Sequence, residues 1–248
     1  MGVDAIGIVL MVGLALLIRE PFPGPTTLLL AGIAGLLAVS GILGLYQGLA
    51  VGRMGVVAPV TGLLAASLPV VVGFTRNGIP PAEVVIGIAA ALVAVILVSR
   101  SKDPEGRPSG IQYAIVGGIG LGFFNIAIGA FPEHLVAWPL AVIKLMALLG
   151  IAAIVLVARR PWRVPRPVIK AVVAVGLLDL AGNGLYILAT QAGRLDVAAA
   201  LSSLYPVTTV ILAVAILHER VTRSHLVGIV MAGVAIVLIA GGSVAPAG

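Results

Sequence analysis

Four polar side chains lie at helical spacing within one long apolar stretch of the sequence. They are Asp179, Asn183, Tyr186 and Thr190. Intervals of four, three and four residues place them on one face of an α-helix. A carboxylate, an amide, a phenol and a hydroxyl on one face are suited to binding a ligand or exchanging a proton. The alternative is a buried polar network that only fixes helix packing.

A lysine lies inside another apolar stretch. Lys144 is about 6 Å from the middle of its predicted helix, at 1.5 Å per residue. It either extends to the nearby membrane edge, where Glu133 and His134 lie, or pairs with Asp179. Ionisable groups at membrane depth are costly and are therefore functional candidates. Because desolvation disfavours a charged carboxylate, we expect Asp179 to take up and release protons.

Further polar residues in apolar stretches are weaker candidates for substrate binding or coupling. They are Tyr46, Gln47, Asn125, Ser202, Ser203 and Tyr205. Pro69 and Pro206 lie inside predicted helices, where a proline frees a backbone carbonyl or simply kinks the helix. The spacing of Gly44, Gly48 and Gly52 predicts a close-packing seam, within the bundle or between two copies of the chain.

The composition indicates that lipid surrounds most of the chain. Of the 248 residues, 60% are hydrophobic and only 10% are charged, with a mean hydropathy of +1.22. A soluble domain carries about 25% charged residues. The 32 glycines favour closely packed helices. The absence of cysteine excludes disulfides and thiolate chemistry.

Apolar runs of about 20 residues predict the membrane-spanning helices. Nine runs are separated by charged or proline-containing breaks: Gly2–Ile18, Thr26–Val51, Val56–Thr75, Ala82–Ser99, Ile111–Phe131, Trp138–Ala158, Val168–Gln191, Val197–Leu217 and Ser224–Ala240. None has the alternating polarity of a membrane strand. The predicted fold class is an all-α integral membrane protein with nine transmembrane helices.

Basic residues are distributed unequally between the loops of the two sides. Eleven lie on one side: Arg53, Arg100, Lys102, Arg107, Arg159, Arg160, Arg163, Arg166, Lys170, Arg220 and Arg223. The other side has three, which are Arg19, Arg76 and Arg194. The positive-inside rule places the first set in the cytoplasm and the C-terminal end outside. The net charge of +6 then reflects membrane orientation, and we expect no nucleic-acid partner.

The sequence repeats itself at an offset of 141 residues. Matching segments are Gly35-Leu36-Leu37 with Gly176-Leu177-Leu178, Gly52-Arg53 with Gly193-Arg194, and Gly87-Ile88 with Gly228-Ile229. Five helices per copy would invert one copy relative to the other. The predicted domains are a first repeat over residues 1–100, a cytoplasmic linker over 101–110, a second repeat over 111–241 and a tail over 242–248. The first repeat has no counterpart of Ile111–Phe131, so we expect ten helices in the complete protein; a true nine-helix protein is the alternative.

One motif in the second repeat resembles a known family. It consists of Leu201-Ser202-Ser203-Leu204-Tyr205-Pro206-Val207-Thr208, then Leu217-His218-Glu219-Arg220, then Leu226-Val227-Gly228. It resembles the EamA domain of the drug/metabolite transporter superfamily. The resemblance assigns Pro206, Glu219, Arg220 and Gly228 to a structural motif, with Pro69 as a displaced counterpart in the first repeat. The first repeat lacks the glutamate, because Arg76-Asn77-Gly78 stands where the second has His218-Glu219-Arg220.

The resemblance implies a small-molecule transporter in the inner or plasma membrane. Its expected mechanism is alternating access, with export of a metabolite, an amino acid or a drug-like molecule driven by protons. A homodimer is a further expectation, as are the absence of a cofactor and of a metal. The alternatives are a degenerate or partner-dependent membrane protein that does not transport, and a membrane-embedded enzyme. The enzyme motifs H-E-x-x-H and G-x-x-x-x-G-K-S/T do not occur in the sequence.

Overall fold

The fold is taken from a computed structural model, which describes residues 1–98, 108–159, 168–205, 207–208, 211 and 223–244. Within these ranges the chain forms nine α-helices and no strand, which confirms the all-α prediction. Five residues of the family motif lie outside the described residues: Pro206, Leu217, His218, Glu219 and Arg220.

The helices follow the predicted apolar runs. They are α1 (Gly2–Leu17), α2 (Pro25–Val51), α3 (Met54–Asn77), α4 (Ala82–Val98), α5 (Ile111–Ile128), α6 (Ala137–Val157), α7 (Ile169–Ala192), α8 (Leu195–Ser202) and α9 (Arg223–Val244). For every helix except α8, both ends lie within four residues of the corresponding ends of a predicted apolar run. Most of the eighth span beyond α8 lies outside the described residues. In the described part of the chain, α2, α3, α5, α6 and α7 are long and apolar enough to cross a membrane.

The helices form two compact units, each built from two separate stretches of chain. Unit 1 contains Met1–Val39 and Ala127–Ala192, and unit 2 contains Ser40–Ile126 and Gly193–Gly248. Unit 1 therefore takes one stretch from each predicted repeat, whereas the stretch Ser40–Ile126 of unit 2 begins in the first repeat and ends in the second. The repeat boundaries themselves remain a prediction.

Helices at equivalent positions of the two repeats pack together. In unit 1, α1 packs against α6; in unit 2, α3 packs against α8 and α4 against α9. The α4–α9 contact has a close approach at Gly87 of α4 and another at Gly228 of α9. A Cβ at Gly87 would lie within 3.2 Å of Ala235, Leu238 and Ile239, and one at Gly228 within 3.2 Å of Ala94, Leu97 and Val98. These two sets differ by the 141-residue offset, so the contact is reciprocal, as in a two-fold interface.

The predicted glycine seam packs inside unit 2. A Cβ at Gly44 would lie 2.6 Å from the backbone nitrogen of Gly117 in α5. A Cβ at Gly48 would lie 2.7 Å from Cγ1 of Val57, and Gly52 is similarly crowded. Of the two arrangements that the sequence allowed, the seam within the bundle is the one present. Gly44 lets α2 approach α5 backbone to backbone, and Gly48 and Gly52 leave room for Val57 of α3.

Pro69 leaves a carbonyl of α3 without its helical donor. Pro69 lies inside α3 and has no N–H to donate to the carbonyl of Ala65, one turn earlier. The side-chain amide of Asn125 in α5 donates to that oxygen at 3.5 Å. A second polar contact between the same helices joins the Thr61 hydroxyl to the Ala114 carbonyl at 3.2 Å. Asn125 thus has a structural partner in α3.

The loop between α1 and α2 caps the N-terminus of α6. The buried carboxylate of Glu20 accepts hydrogen bonds from the backbone N–H groups of Val136, of Ala137 at 3.1 Å and of Trp138 at 2.8 Å. The Trp138 indole donates to the Glu20 carbonyl at 3.1 Å, and Phe22 packs edge-on against it, with centroids 5.1 Å apart. A carboxylate stabilises this end because the first N–H groups of a helix lack partners and carry positive charge.

The α2–α5 approach predicts a cost for a single added methyl group. We expect Gly44→Ala to lower the stability of the protein by about 1–3 kcal/mol, because the new Cβ meets backbone atoms that cannot rotate away. Gly233→Ala in α9 is the control, since open space surrounds that position and alanine favours a helix over glycine by about 1 kcal/mol. Thermal unfolding in nanodiscs measures both; equal Tm values for the two variants would contradict the seam.

The cap on α6 predicts a stability loss on neutralising one carboxylate. We expect Glu20→Gln to cost about 1–2 kcal/mol, because an amide nitrogen cannot accept from the helix N–H groups and the helix dipole loses its charge partner. Glu83→Gln, in the exposed first turn of α4, should leave the Tm nearly unchanged. If both variants unfold at the wild-type temperature, Glu20 does not hold α6.

Candidate functional site

An ion pair joins two helices within unit 1. The ammonium of Lys144 in α6 donates to Oδ2 of Asp179 in α7. The pair is one of the two alternatives that the sequence left open for Lys144; the other, extension to the membrane edge, is not the arrangement present. Lys144 is buried, with 10% of its side chain exposed, whereas 35% of the Asp179 side chain is exposed.

The surroundings of Lys144 accommodate its long aliphatic stem. Lys144 lies on the buried face of α6, with Leu140, Ala141 and Ala147. Gly7 of α1 faces the stem, and a Cβ there would lie 3.1 Å from Cγ of Lys144. Glycine at position 7 thus leaves room for the lysine stem at the interface between α1 and α6.

Two side chains fix the loop that precedes α6. Glu20 binds the first N–H groups of the helix, as described above. From the other side, the Gln191 amide near the end of α7 donates to the carbonyls of Pro132 at 2.8 Å and of Leu135 at 3.2 Å. Since α6 carries Lys144 and α7 carries Asp179, these contacts hold the two helices that form the ion pair.

Asn183 completes a small polar cluster with the ion pair. Its amide donates to Oδ1 of Asp179 at 3.1 Å and to the Asp179 backbone oxygen at 2.9 Å. The two carboxylate oxygens therefore have different partners: Oδ1 bonds Asn183 and Oδ2 bonds Lys144. This arrangement fixes the orientation of the carboxylate.

The remaining members of the predicted stripe lie on the same side of α7. Tyr186 is buried, and its hydroxyl has no hydrogen-bond partner among the described residues. Thr190 is half-buried and donates within its own helix, to the Ile187 carbonyl at 2.8 Å. Leu178 and Leu185, on the other side, are mostly exposed. The helix thus has an apolar outer face and a polar inner face, as expected of a helix in a bilayer.

The other candidates from the sequence lie in unit 2 and do not form such a cluster. Tyr46 and Tyr205 are exposed but close enough to interact electrostatically. Gln47 and Ser202 are exposed as well. Ser203 is buried and donates locally to the Ala200 carbonyl at 2.7 Å.

A buried ion pair in unit 2 was not predicted. Asp196, in the first turn of α8, has a fully buried side chain and accepts from Arg194, with a shortest distance of 3.0 Å. The Arg194 guanidinium also donates to the carbonyls of Asn77, at 3.1 Å, and of Gly78 at the end of α3. Asp196 lies against Gly73, where a Cβ would be 2.6 Å from Cβ of Asp196. The sequence signal was an acidic residue, Asp196, two positions after Arg194 of the Gly-Arg turn. The equivalent residue of the first repeat is Gly55.

The chemistry available at the Lys144–Asp179 site is binding and proton exchange. The described residues contain no group of three or more histidine, aspartate or glutamate side chains placed to hold a metal ion. The Lys144 ammonium, the Asp179 carboxylate, the Asn183 amide and the Tyr186 hydroxyl are groups that can bind a polar molecule.

Comparisons with known proteins agree with this membrane architecture. No curated protein matches the sequence. One solved structure, described only as a crystal structure of a protein, matches with a TM-score of 0.75 over 98% of this chain and 85% of that chain. Its sequence identity of 17% shows the fold alone. The sequence model of the EamA-like transporter family matches residues 108–241, more than half of the chain. The protein therefore belongs to the EamA-like transporter family and is a multi-span membrane transporter of the drug/metabolite type.

Proposed function

We propose that this protein exports a small polar molecule from the cell by alternating access, and that the Lys144–Asp179 ion pair opens and closes during the cycle. Asp179 takes up and releases the protons that drive export. The membrane is the inner or plasma membrane. The observation that carries the proposal is a hydrogen-bonded ion pair between two apolar helices, in which the ammonium is buried and the carboxylate is partly exposed.

The unequal exposure of the two partners supports a role for Asp179 as the group that reacts first. Its side chain is 35% exposed, against 10% for Lys144. An incoming proton or ligand can therefore reach the carboxylate while the ammonium stays covered. Asn183 holds the second carboxylate oxygen, so the group keeps its orientation when Lys144 is displaced.

The energetic argument is that the pair can separate only when each charge finds a new partner. Removing one partner of an ion pair leaves the remaining charge uncompensated, and the cost here is highest for the buried Lys144 ammonium and lower for the partly exposed Asp179 carboxylate. Protonation of Asp179 removes its charge and weakens its hold on Lys144, and a bound substrate provides new contacts. The pair then couples protonation of Asp179 and substrate binding to a movement of α6 relative to α7 within unit 1.

An unbiased efflux assay tests export. The purified protein is reconstituted in proteoliposomes loaded with a cell metabolite extract, and mass spectrometry identifies what leaves under an imposed proton gradient. We expect one compound class to leave the wild-type vesicles, and Asp179→Asn to abolish proton-dependent efflux; Lys170→Ala, at the exposed start of α7, is the control. Proton-dependent efflux that survives Asp179→Asn would exclude Asp179 as the proton carrier. If no compound leaves wild-type vesicles, the protein is not an exporter.

The ion pair itself is tested by a double-mutant cycle on the same efflux assay. We expect Lys144→Ala to reduce transport at least tenfold because it strands the Asp179 carboxylate. Lys144→Ala/Asp179→Ala should be no worse than the poorer single variant, since the two residues act as one unit. Losses that multiply would mean that the two residues act independently.

A further inference from the structure

The Arg194–Asp196 ion pair lies where the end of α3 meets the start of α8 in unit 2. The Asp196 side chain is fully buried, although it belongs to the first turn of α8. Its Oδ2 accepts from Nη2 of Arg194 at 3.0 Å, and its Oδ1 accepts from Nε at 3.1 Å. Two such hydrogen bonds between a guanidinium and a carboxylate form a strong and directional contact.

The same guanidinium also bonds the C-terminal end of α3. Nη1 of Arg194 donates to the Asn77 carbonyl at 3.1 Å, and Nη2 donates to the Gly78 carbonyl. The last carbonyls of a helix lack helical donors and carry partial negative charge, so a cation stabilises them. One side chain therefore connects the end of α3 to the buried carboxylate of α8, and this connection breaks when the two helix ends separate.

The sequence provides this arrangement at one end of the α3–α8 contact and not at the other. The two helices are equivalent at the offset of 141, and Arg194 has its counterpart in Arg53. The counterpart of Asp196 is Gly55, and the counterpart of Gly73 is Val214. A Cβ at Gly73 would lie 2.6 Å from Cβ of Asp196, so this glycine makes room for the acid. The repeat thus retains the arginine, whereas the acid and the glycine that receives it occur together at one end.

A contact present at one end makes the two ends of the helix pair unequal in free energy. A transporter of inverted repeats opens alternately toward the two sides of the membrane, and a symmetric helix pair would favour neither state. The ion pair lowers the free energy of the state in which its own end is closed. Because an ion pair in water contributes little to stability, water that enters an opened end can replace it, which keeps closure reversible.

We infer that Arg194 and Asp196 form a gate, which keeps their end of the α3–α8 contact closed in the resting transporter. Opening separates the Asp196 carboxylate from Arg194 and the start of α8 from the last carbonyls of α3. The inference rests on the alternating access of the proposed function and assigns the preferred state of the cycle to one ion pair. It is independent of the substrate and of proton uptake at Asp179.

Cysteine labelling in nanodiscs tests the gate. The chain has no cysteine, so one introduced thiol reports on one position. The reporters are Ala199→Cys, buried one turn after Asp196, and Ala58→Cys, its equivalent near the start of α3. Both faces of a nanodisc are open to a water-soluble maleimide, so the labelling rate reports whether that end of the helix pair is open. Each reporter is combined with Arg194→Gln, with Asp196→Asn or with the control Arg76→Gln, which changes an exposed arginine in the last turn of α3.

We expect the gate variants to shift the two reporters in opposite directions. Arg194→Gln should raise the labelling rate of Ala199→Cys at least tenfold, because it leaves the buried Asp196 carboxylate without its partner, and should lower the rate of Ala58→Cys. Asp196→Asn should act in the same direction but less strongly, since it removes the buried charge itself. Arg76→Gln should leave both rates unchanged.

The opposite results overturn the gate. Faster labelling of both reporters, together with a lower Tm, would mean that the ion pair only stabilises unit 2. Unchanged labelling rates in both gate variants would mean that it does not hold its end closed. Either result can occur while proton-dependent efflux persists in proteoliposomes. Opposite shifts of the two reporters in a protein that shows no efflux would support the gate and reject the proposed export, so the two failures are distinguishable.

Discussion

In a bilayer, every polar group must find its partner inside the protein, because the hydrocarbon offers none. The buried charges described above follow that rule, because each has a partner within the protein. Lys144 pairs with Asp179, Asp196 pairs with Arg194, and the Glu20 carboxylate bonds the N-terminus of α6. The Asn125 amide bonds the carbonyl that Pro69 leaves open. Each of these contacts fixes a helix end or a helix pair, so polar satisfaction determines where the helices sit within a unit.

Glycine meets a second requirement of the fold, which is the close approach of helix backbones to one another. The seam at Gly44 brings α2 and α5 into backbone contact, and Gly87 and Gly228 do the same for α4 and α9. Gly7 leaves room for the stem of Lys144, and Gly73 leaves room for Asp196. In the last two cases the absent side chain admits a charged residue, which links the packing of small residues directly to the placement of the buried charges.

The reciprocal α4–α9 contact shows how a repeated sequence builds a compact unit. Equivalent helices of the two repeats present the same surface to each other, so one close approach is made twice. The compact units consequently combine stretches of both repeats instead of following the order of the chain. The polar face of α7 departs from this symmetry, because the first repeat has apolar residues at the positions of Asp179 and Tyr186. Such a departure is expected where one copy has acquired a function that packing does not require.

The sequence alone determined the features that depend on local pattern. Apolar runs of helical length define the helices and the membrane environment, and the motif around Tyr205 and Gly228 indicates the family. The spacing of Asp179, Asn183 and Tyr186 defines a polar face, because residues three and four apart share one side of a helix. None of these inferences needs to know which helices are neighbours.

Only the tertiary structure determined which polar groups are partners of one another. Lys144 and Asp179 are 35 residues apart, and Glu20 and Trp138 are 118 apart. Whether such groups meet depends on how α1, α6 and α7 pack. The periodicity of a single helix carries no information about that packing. For the same reason the sequence left open whether Lys144 reaches the membrane edge or Asp179, and the position of Asp196 after the Gly-Arg turn did not reveal that its side chain is fully buried. A single sequence encodes the faces of helices, whereas the contacts between faces follow from a three-dimensional packing that has to provide partners for polar groups of several helices at once.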